Sequence, residues 1–180
     1  IARQLEGECA ELVMGVAGCT QAYITRCRRL GVKRPNSEIL RAIAEGSHTT
    51  RKTWDLAQNY LSDIGVVAAS SVFQHCKELR VLRLNHSGLY NSAVAALAPC
   101  LEGLPHFHTL DLVDNNIGWK GGIALLALVK AKPSLTAMPT HGNQLDAHVP
   151  LHLQLANPDS RTDCPMSIQI ELCLNANRIA

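Results

Sequence analysis

The sequence predicts an α/β solenoid, an arc of stacked layers with parallel strands inside, helices outside and a helical cap at the N-terminal end. Three observations predict it. A segment of one shape recurs every 28 residues, at Trp54–Leu61, Leu82–Leu89, Leu110–Ile117 and Met138–Leu145. Within each copy apolar and polar residues alternate, as in Leu82-Arg83-Leu84 and Leu110-Asp111-Leu112, which is the pattern of a strand with one buried side. Between copies the apolar spacing becomes helical and also keeps the repeat, setting Leu97 with Leu125, Cys100 with Leu128 and Leu101 with Val129. One such unit cannot bury its faces alone, so units must stack, and at least about three are needed.

Residues 1–46 read as the cap and a distorted opening unit. Leu5, Cys9, Leu12, Val13 and Val16, then Ala22, Tyr23, Cys27 and Leu30, are spaced for two helices that Gly15 and Gly18 separate. The second ends at Gly31, with Arg26, Arg28 and Arg29 near the negative end of its dipole. Such a pair would cover the open edge of the first strand. Asn36 or Ser37 is the expected N-cap of a helix from Glu38 to Glu45, which Gly46 ends.

Residues 47–180 read as the repeats. The polar stretch 47–53 leads into the Trp54 strand, and the helix from Asp63 to Cys76 is expected to bury Val67, Val72 and Phe73. The two units that follow are the most regular. After Leu145 the pattern loosens, because Pro150 interrupts any long helix and the next match, a fifth strand motif at 172–179, places Asn177 34 residues after Asn143 instead of 28. Six extra residues must bulge, and Asn157–Asp163 is where they are expected. The chain stops at Ala180, directly after that motif, so it reads as a piece of a longer protein.

After each strand the backbone turns, and its buried amides and carbonyls need partners that no neighbouring strand supplies. Asparagine can both donate and accept, so a column of asparagines can satisfy a column of turns. Asn59, Asn115, Asn143 and Asn177 take that position, and Ser87 replaces it once.

This pattern, L-x-L-x-x-N-x-L at 28 residues, resembles the leucine-rich repeat in its long, ribonuclease-inhibitor-like form. The resemblance implies a horseshoe arc whose strand side is the binding surface. The stretch Tyr23–Arg41, a helix ending in C-x-x-x-G-V before a proline and a second helix, is similar to the opening segment of ciliary and cytosolic proteins of this class. Some proteins of similar architecture activate the GTPase Ran, which makes a GTPase-regulating or signalling receptor module the alternative to a binding scaffold.

Composition sets bounds. The net charge of +2 and pI near 8.2 give no strong field for nucleic acid or an acidic membrane surface. No run reaches the 18 or so apolar residues of a membrane span. Seven cysteines show no C-x-x-C pair, and Cys76 and Cys100 fall where the repeat wants small apolar residues, so they read as reduced core thiols of an intracellular protein. Catalytic signatures are missing: there is no phosphate-binding glycine loop, no G-x-S-x-G and no H-E-x-x-H.

The expected function is therefore non-enzymatic binding of another protein, by a monomeric chain with no cofactor, metal, nucleic acid or membrane partner. The expected location is the cytoplasm, with the opening segment pointing to the cytoskeleton or cilium. The solvent-facing positions of the strand units give the expected surface: Asp55, Arg83, Asn85, His86, Asp111, Asp114, Trp119 and His141. Against that, Arg83 could simply pair across strands with Asp55 and Asp111, worth about 0.2–1 kcal/mol. His148 and His152, near His141 and Asp146, and the pair His106 and His108 lack the ligand spacing of a structural zinc site. The basic cluster Arg26, Arg28, Arg29, Lys33 and Arg34 has no interleaved aromatics of the kind single-stranded nucleic acid needs.

Overall fold

Trp54, Leu82 and Leu110, equivalent residues of three successive units, lie side by side in one parallel sheet. The computed structural model describes residues 16–59 and 61–146, and positions 170, 171, 174 and 177. Its sheet has three strands in chain order, β1 (Thr53–Asp55), β2 (Val81–Arg83) and β3 (Thr109–Asp111). The register is one whole repeat: Thr53 pairs with Val81 and Val81 with Thr109, while Asp55 pairs with Arg83 and Arg83 with Asp111. Sequence period and sheet register are thus the same quantity. The middle residue of each strand is buried, so all three strands turn one side inward.

The fourth unit continues the pairing without forming a full strand. Leu110 N donates to Ala137 O at 3.0 Å, Leu112 N to Pro139 O at 3.0 Å, and Asp114 N to His141 O at 3.0 Å. Pro139 stands where Asp55, Arg83 and Asp111 stand and has no N–H to return a bond, which reduces the ladder to an isolated bridge between Thr109 and Ala137.

Five α-helices of defined extent accompany the sheet among the described residues: α1 (Val16–Arg29), α2 (Ser37–Ala44), α3 (Ser62–Phe73), α4 (Asn91–Glu102) and α5 (Trp119–Ala131), with a single 3-10 turn at Ser47–Thr49. Successive units pack α3 against α4 and α4 against α5, while α1 lies against α2 and α3. A single core runs through these layers, from Tyr23, Cys27 and Ile43 through Trp54, Phe73, Leu82 and Phe107 to Leu128 and Leu135. Trp54 meets Phe73 edge to face at 5.7 Å. Arg51 covers the indole at 4.7 Å and donates to Glu38 at 2.6 Å, which ties α2 to the start of β1. That bond holds the Glu38 carboxyl below its ordinary value.

Several expectations change. Gly18 lies within α1, whose end at Gly31 takes a left-handed φ of 74°. Asn36, rather than Ser37, caps α2 by accepting from Ile39 N at 3.0 Å. Val66 turns inward where Val67 was expected to, since α3 begins at Ser62 and sets its own rotation. The fifth strand motif is not a strand at the positions described: Ile170, Glu171, Leu174 and Asn177 are helical, with Ile170 and Leu174 buried. Leu174 and Asn177 fit L-x-L-x-x-N, yet Ile170, Leu174 and Asn177 equally fit one helical face, and packing selected the helix. The region of the expected bulge, 157–163, and His148 and His152 lie outside the described residues.

Candidate functional site

The outward side of the sheet begins with Asp55, Arg83 and Asp111, which the register sets in one row. Arg83 donates to Asp55 Oδ2 at 3.2 Å, and both side chains are about half exposed, at 52%. The two aspartates also hold their own backbones. Asp55 Oδ1 accepts from Ala57 N at 3.2 Å and Asp111 Oδ1 from Val113 N at 3.1 Å, so each carboxylate fixes the path of the chain leaving its strand.

Beyond the strands a second row forms at Gln58, His86, Asp114 and Gly142, all with φ between 52° and 73°. The left-handed turn recurs in these four units, and non-glycine residues occupy it three times. It brings His86 Nε2 within 3.2 Å of Asp114 Oδ2, one unit to the next, with both side chains open to solvent. Asn85 is half buried and its carbonyl accepts from Gln58 N at 3.1 Å, while His141 is exposed. Thus Asp55, Arg83, Asn85, His86, Asp111, Asp114 and His141 share the strand-and-turn side. Trp119 does not join them. It is the first residue of α5, half buried, with Lys120 5.8 Å from its ring.

Beneath the turns, Asn115 is 4% exposed and fully used. Its Oδ1 accepts from Ser87 N and Leu89 N at 3.1 and 3.0 Å, and its Nδ2 donates to Leu84 O and Leu112 O at 3.0 and 2.9 Å. Asn143 likewise accepts from Ile117 N and donates to Leu112 O and Thr140 O. Each asparagine therefore joins its own turn to the preceding one. Ser87 reaches only carbonyls, Leu56 O at 3.4 Å and Asn85 O at 3.3 Å. Asn59 and Asn177 depart from the expected column. Asn59 belongs to the first unit with a strand, has no preceding turn to bridge, and is exposed with a single bond to Ala57 O at 3.4 Å. Asn177 instead donates to Val129, Lys132 and Leu135 carbonyls at the end of α5.

A second column was missed in the sequence. The residues preceding α4 and α5, Tyr90 and Gly118, provide no side-chain cap. The preceding unit caps them instead. Asp63 accepts from Tyr90 N at 2.7 Å and Ala93 N at 2.9 Å and bonds the Ser92 hydroxyl; Asn91, 28 residues later, accepts from Gly118 N at 3.0 Å and Gly121 N at 2.9 Å. The signal available was an Asp and an Asn one repeat apart at the starts of helices whose own cap positions hold no acceptor side chain. Trp119 ends this column, because an indole only donates. At the opposite helix ends, the buried amine of Lys132 donates to Glu102 O and Leu104 O after α4, and burial holds it below its ordinary value.

Among the described residues no group of three His, Cys, Asp or Glu side chains could hold a metal ion. The described thiols Cys19, Cys27, Cys76 and Cys100 form no disulfide with one another. Burial raises Cys27, Cys76 and Cys100 above their ordinary value, which makes them poor nucleophiles. No described helix is long and apolar enough to cross a membrane.

Comparison with known proteins agrees with the repeat. A leucine-rich repeat family matches residues 103–126, the span from the end of α4 through β3 into α5. Among solved structures, the chain is similar to actin-binding site 2 of leiomodin-1, with a TM-score of 0.58 and 14% identity over 79% of this chain and 88% of that one. At that identity the likeness is one of fold. No curated protein matches by sequence.

Proposed function

We propose that this chain, built on leucine-rich repeats, is a non-enzymatic protein-interaction module that engages its partner through the strand-and-turn side of a horseshoe-like array of the ribonuclease-inhibitor-like class. One observation carries the reading: Asp55, Arg83, Asp111, His86 and Asp114 form two adjoining rows of exposed or half-exposed charged and polar side chains on a backbone fixed from beneath by Asn115 and Asn143. A rigid surface of mixed charge suits partner selection, because its groups are placed before binding and lose little freedom on contact. Helices α3, α4 and α5 occupy the other side, so the strand side is the one the repeats leave open.

The similarity of fold to an actin-binding domain makes actin the first partner to try, and it accords with a cytoskeletal or ciliary setting. Co-sedimentation of the purified chain with actin filaments, alongside Arg83→Glu and Asp111→Lys variants, tests both parts of the proposal. Binding by the wild type and its loss in both charge variants is the expected result. Equal binding by all three places the contact elsewhere. Stimulated GTP hydrolysis by a small GTPase would support the regulatory alternative instead.

A further inference from the structure

Exposed hydroxyl groups are mostly committed in this fold. Thr49, Thr50 and Ser134 donate to carbonyls, and Ser92 donates to the Asp63 carboxylate. Three others, the exposed hydroxyls of Ser37, Thr53 and Ser62, have no hydrogen-bond partner among the described residues. Their surroundings separate them. Thr53 belongs to β1, so an enzyme could reach it in extended form only by taking a strand out of the sheet. Ser62 has Asp63 beside it and no Lys or Arg within six residues on either side. Ser37 alone follows cations in an irregular segment, with Lys33 and Arg34 four and three residues before it.

Lys33 and Arg34 are exposed and form no ion pair among the described residues. Pro35 disfavours helical backbone at Arg34, and Asn36 is extended, at φ −65° and ψ 126°. Arg34 and Ser37 border one cavity of about 360 Å³, which leaves room beside both for a tetrahedral anion. Ser37 is the first residue of α2, where a helix opens at little cost. We infer that Ser37 is a phosphorylation site for a serine kinase that selects basic residues ahead of its target, with Arg34 the residue selected. In the reaction Ser37 Oγ bonds to the terminal phosphorus of a nucleoside triphosphate, the bond to the bridging oxygen breaks, the diphosphate leaves, and the hydroxyl proton passes to a base of the kinase. The product sets about two negative charges at the positive start of α2. Arg34 stands three residues before it and Arg41 four residues after, one helical turn away. The phosphate thus tightens α2 and offsets about two of the five positive charges of Arg26, Arg28, Arg29, Lys33 and Arg34.

The test is incubation of the full, folded chain with ATP and the catalytic domain of a calmodulin-dependent serine kinase, a class that selects arginine three residues before its target. Peptide mass spectrometry should place the phosphate on Ser37, and Ser37→Ala should lower incorporation at least roughly tenfold. Arg34→Gln should slow the initial rate by roughly tenfold as well, the effect of losing one charge-assisted bond. Both side chains are exposed, so the variants should keep the circular dichroism spectrum of the wild type. In the phosphorylated chain the amides of Ile39 and Leu40, which bond to Asn36, should exchange about threefold more slowly. Phosphate found on Thr53 or Ser62 with Ser37 unmodified overturns the inference. So does an Arg34→Gln chain that is labelled at the wild-type rate, or labelling of Ser37 that begins only once urea has unfolded the protein. Faster exchange at Ile39 and Leu40 after phosphorylation would refute the tightening of α2.

Discussion

Gly142 and Asp114 compete for one space: a Cβ on Gly142 would overlap the Asp114 carboxylate and lie 3.0 Å from its Cα. The same turn position holds Gln58, His86 and Asp114 in the earlier units, so left-handed backbone alone does not demand glycine there. It is the side chain of the preceding unit, folded back over the turn, that does.

Gly142→Ala is therefore expected to destabilise the chain by about 2 kcal/mol or more, from left-handed strain plus displacement of Asp114. Gly31→Ala serves as the control. It has a φ of 74° and nothing within 4 Å of its added Cβ, so strain alone should cost about 1 kcal/mol. Urea unfolding midpoints of the two variants measure the difference, and equal losses would count against the crowding.

Replacing Asn115 by alanine strands the amides of Ser87 and Leu89 and the carbonyl of Leu84 in the interior, while Leu112 O keeps its bond from Asn143, and the expected loss is about 3 kcal/mol or more. Asn59→Ala occupies the same place in the motif and should shift stability by less than about 0.5 kcal/mol, because that side chain is exposed. The pair distinguishes a motif residue that bridges two turns from one that has only its own.

Helix starts should prove coupled across units. Asn91→Ala is expected to cost about 0.5–2 kcal/mol, the usual range for a lost cap, with the loss appearing as faster amide exchange at Gly118 and Gly121, at the start of α5, instead of within α4. Faster exchange confined to α4 would contradict capping by the preceding unit.

Stability should fall in alkali, and one thiol accounts for part of it. Burial pushes Cys76 up to about 12 from an ordinary value of 9.0. Above pH 9 the unfolded chain has given up this proton while the folded chain retains it, so the unfolded state binds fewer protons and stability decreases with pH. The contribution is whole below about pH 9 and is lost as pH rises through about 12. Cys27 and Cys100 shift upward for the same cause, and Lys132, shifted downward, works in the opposite direction. Cys76→Ala should flatten the decline of the urea midpoint above pH 9; an unchanged slope would assign it to other groups.

The 28-residue period was enough to set the parallel register of β1, β2 and β3 and the inward residues Trp54, Leu82 and Leu110, because a strand repeats its pairing wherever it repeats its pattern of burial. It also marked Asn115 and Asn143, whose side chains answer turns that the same period creates. What neighbours decide was not legible along the chain. Asn59 has the right letter and no earlier turn to bridge, and Asp63 and Asn91 cap helices that belong to other units. Ile170, Leu174 and Asn177 fit two periods at once, and the burial of Ile170 and Leu174 chose between them. Periodicity tells a residue which way it faces, whereas hydrogen-bond partners and competing packings depend on what the fold brings opposite it.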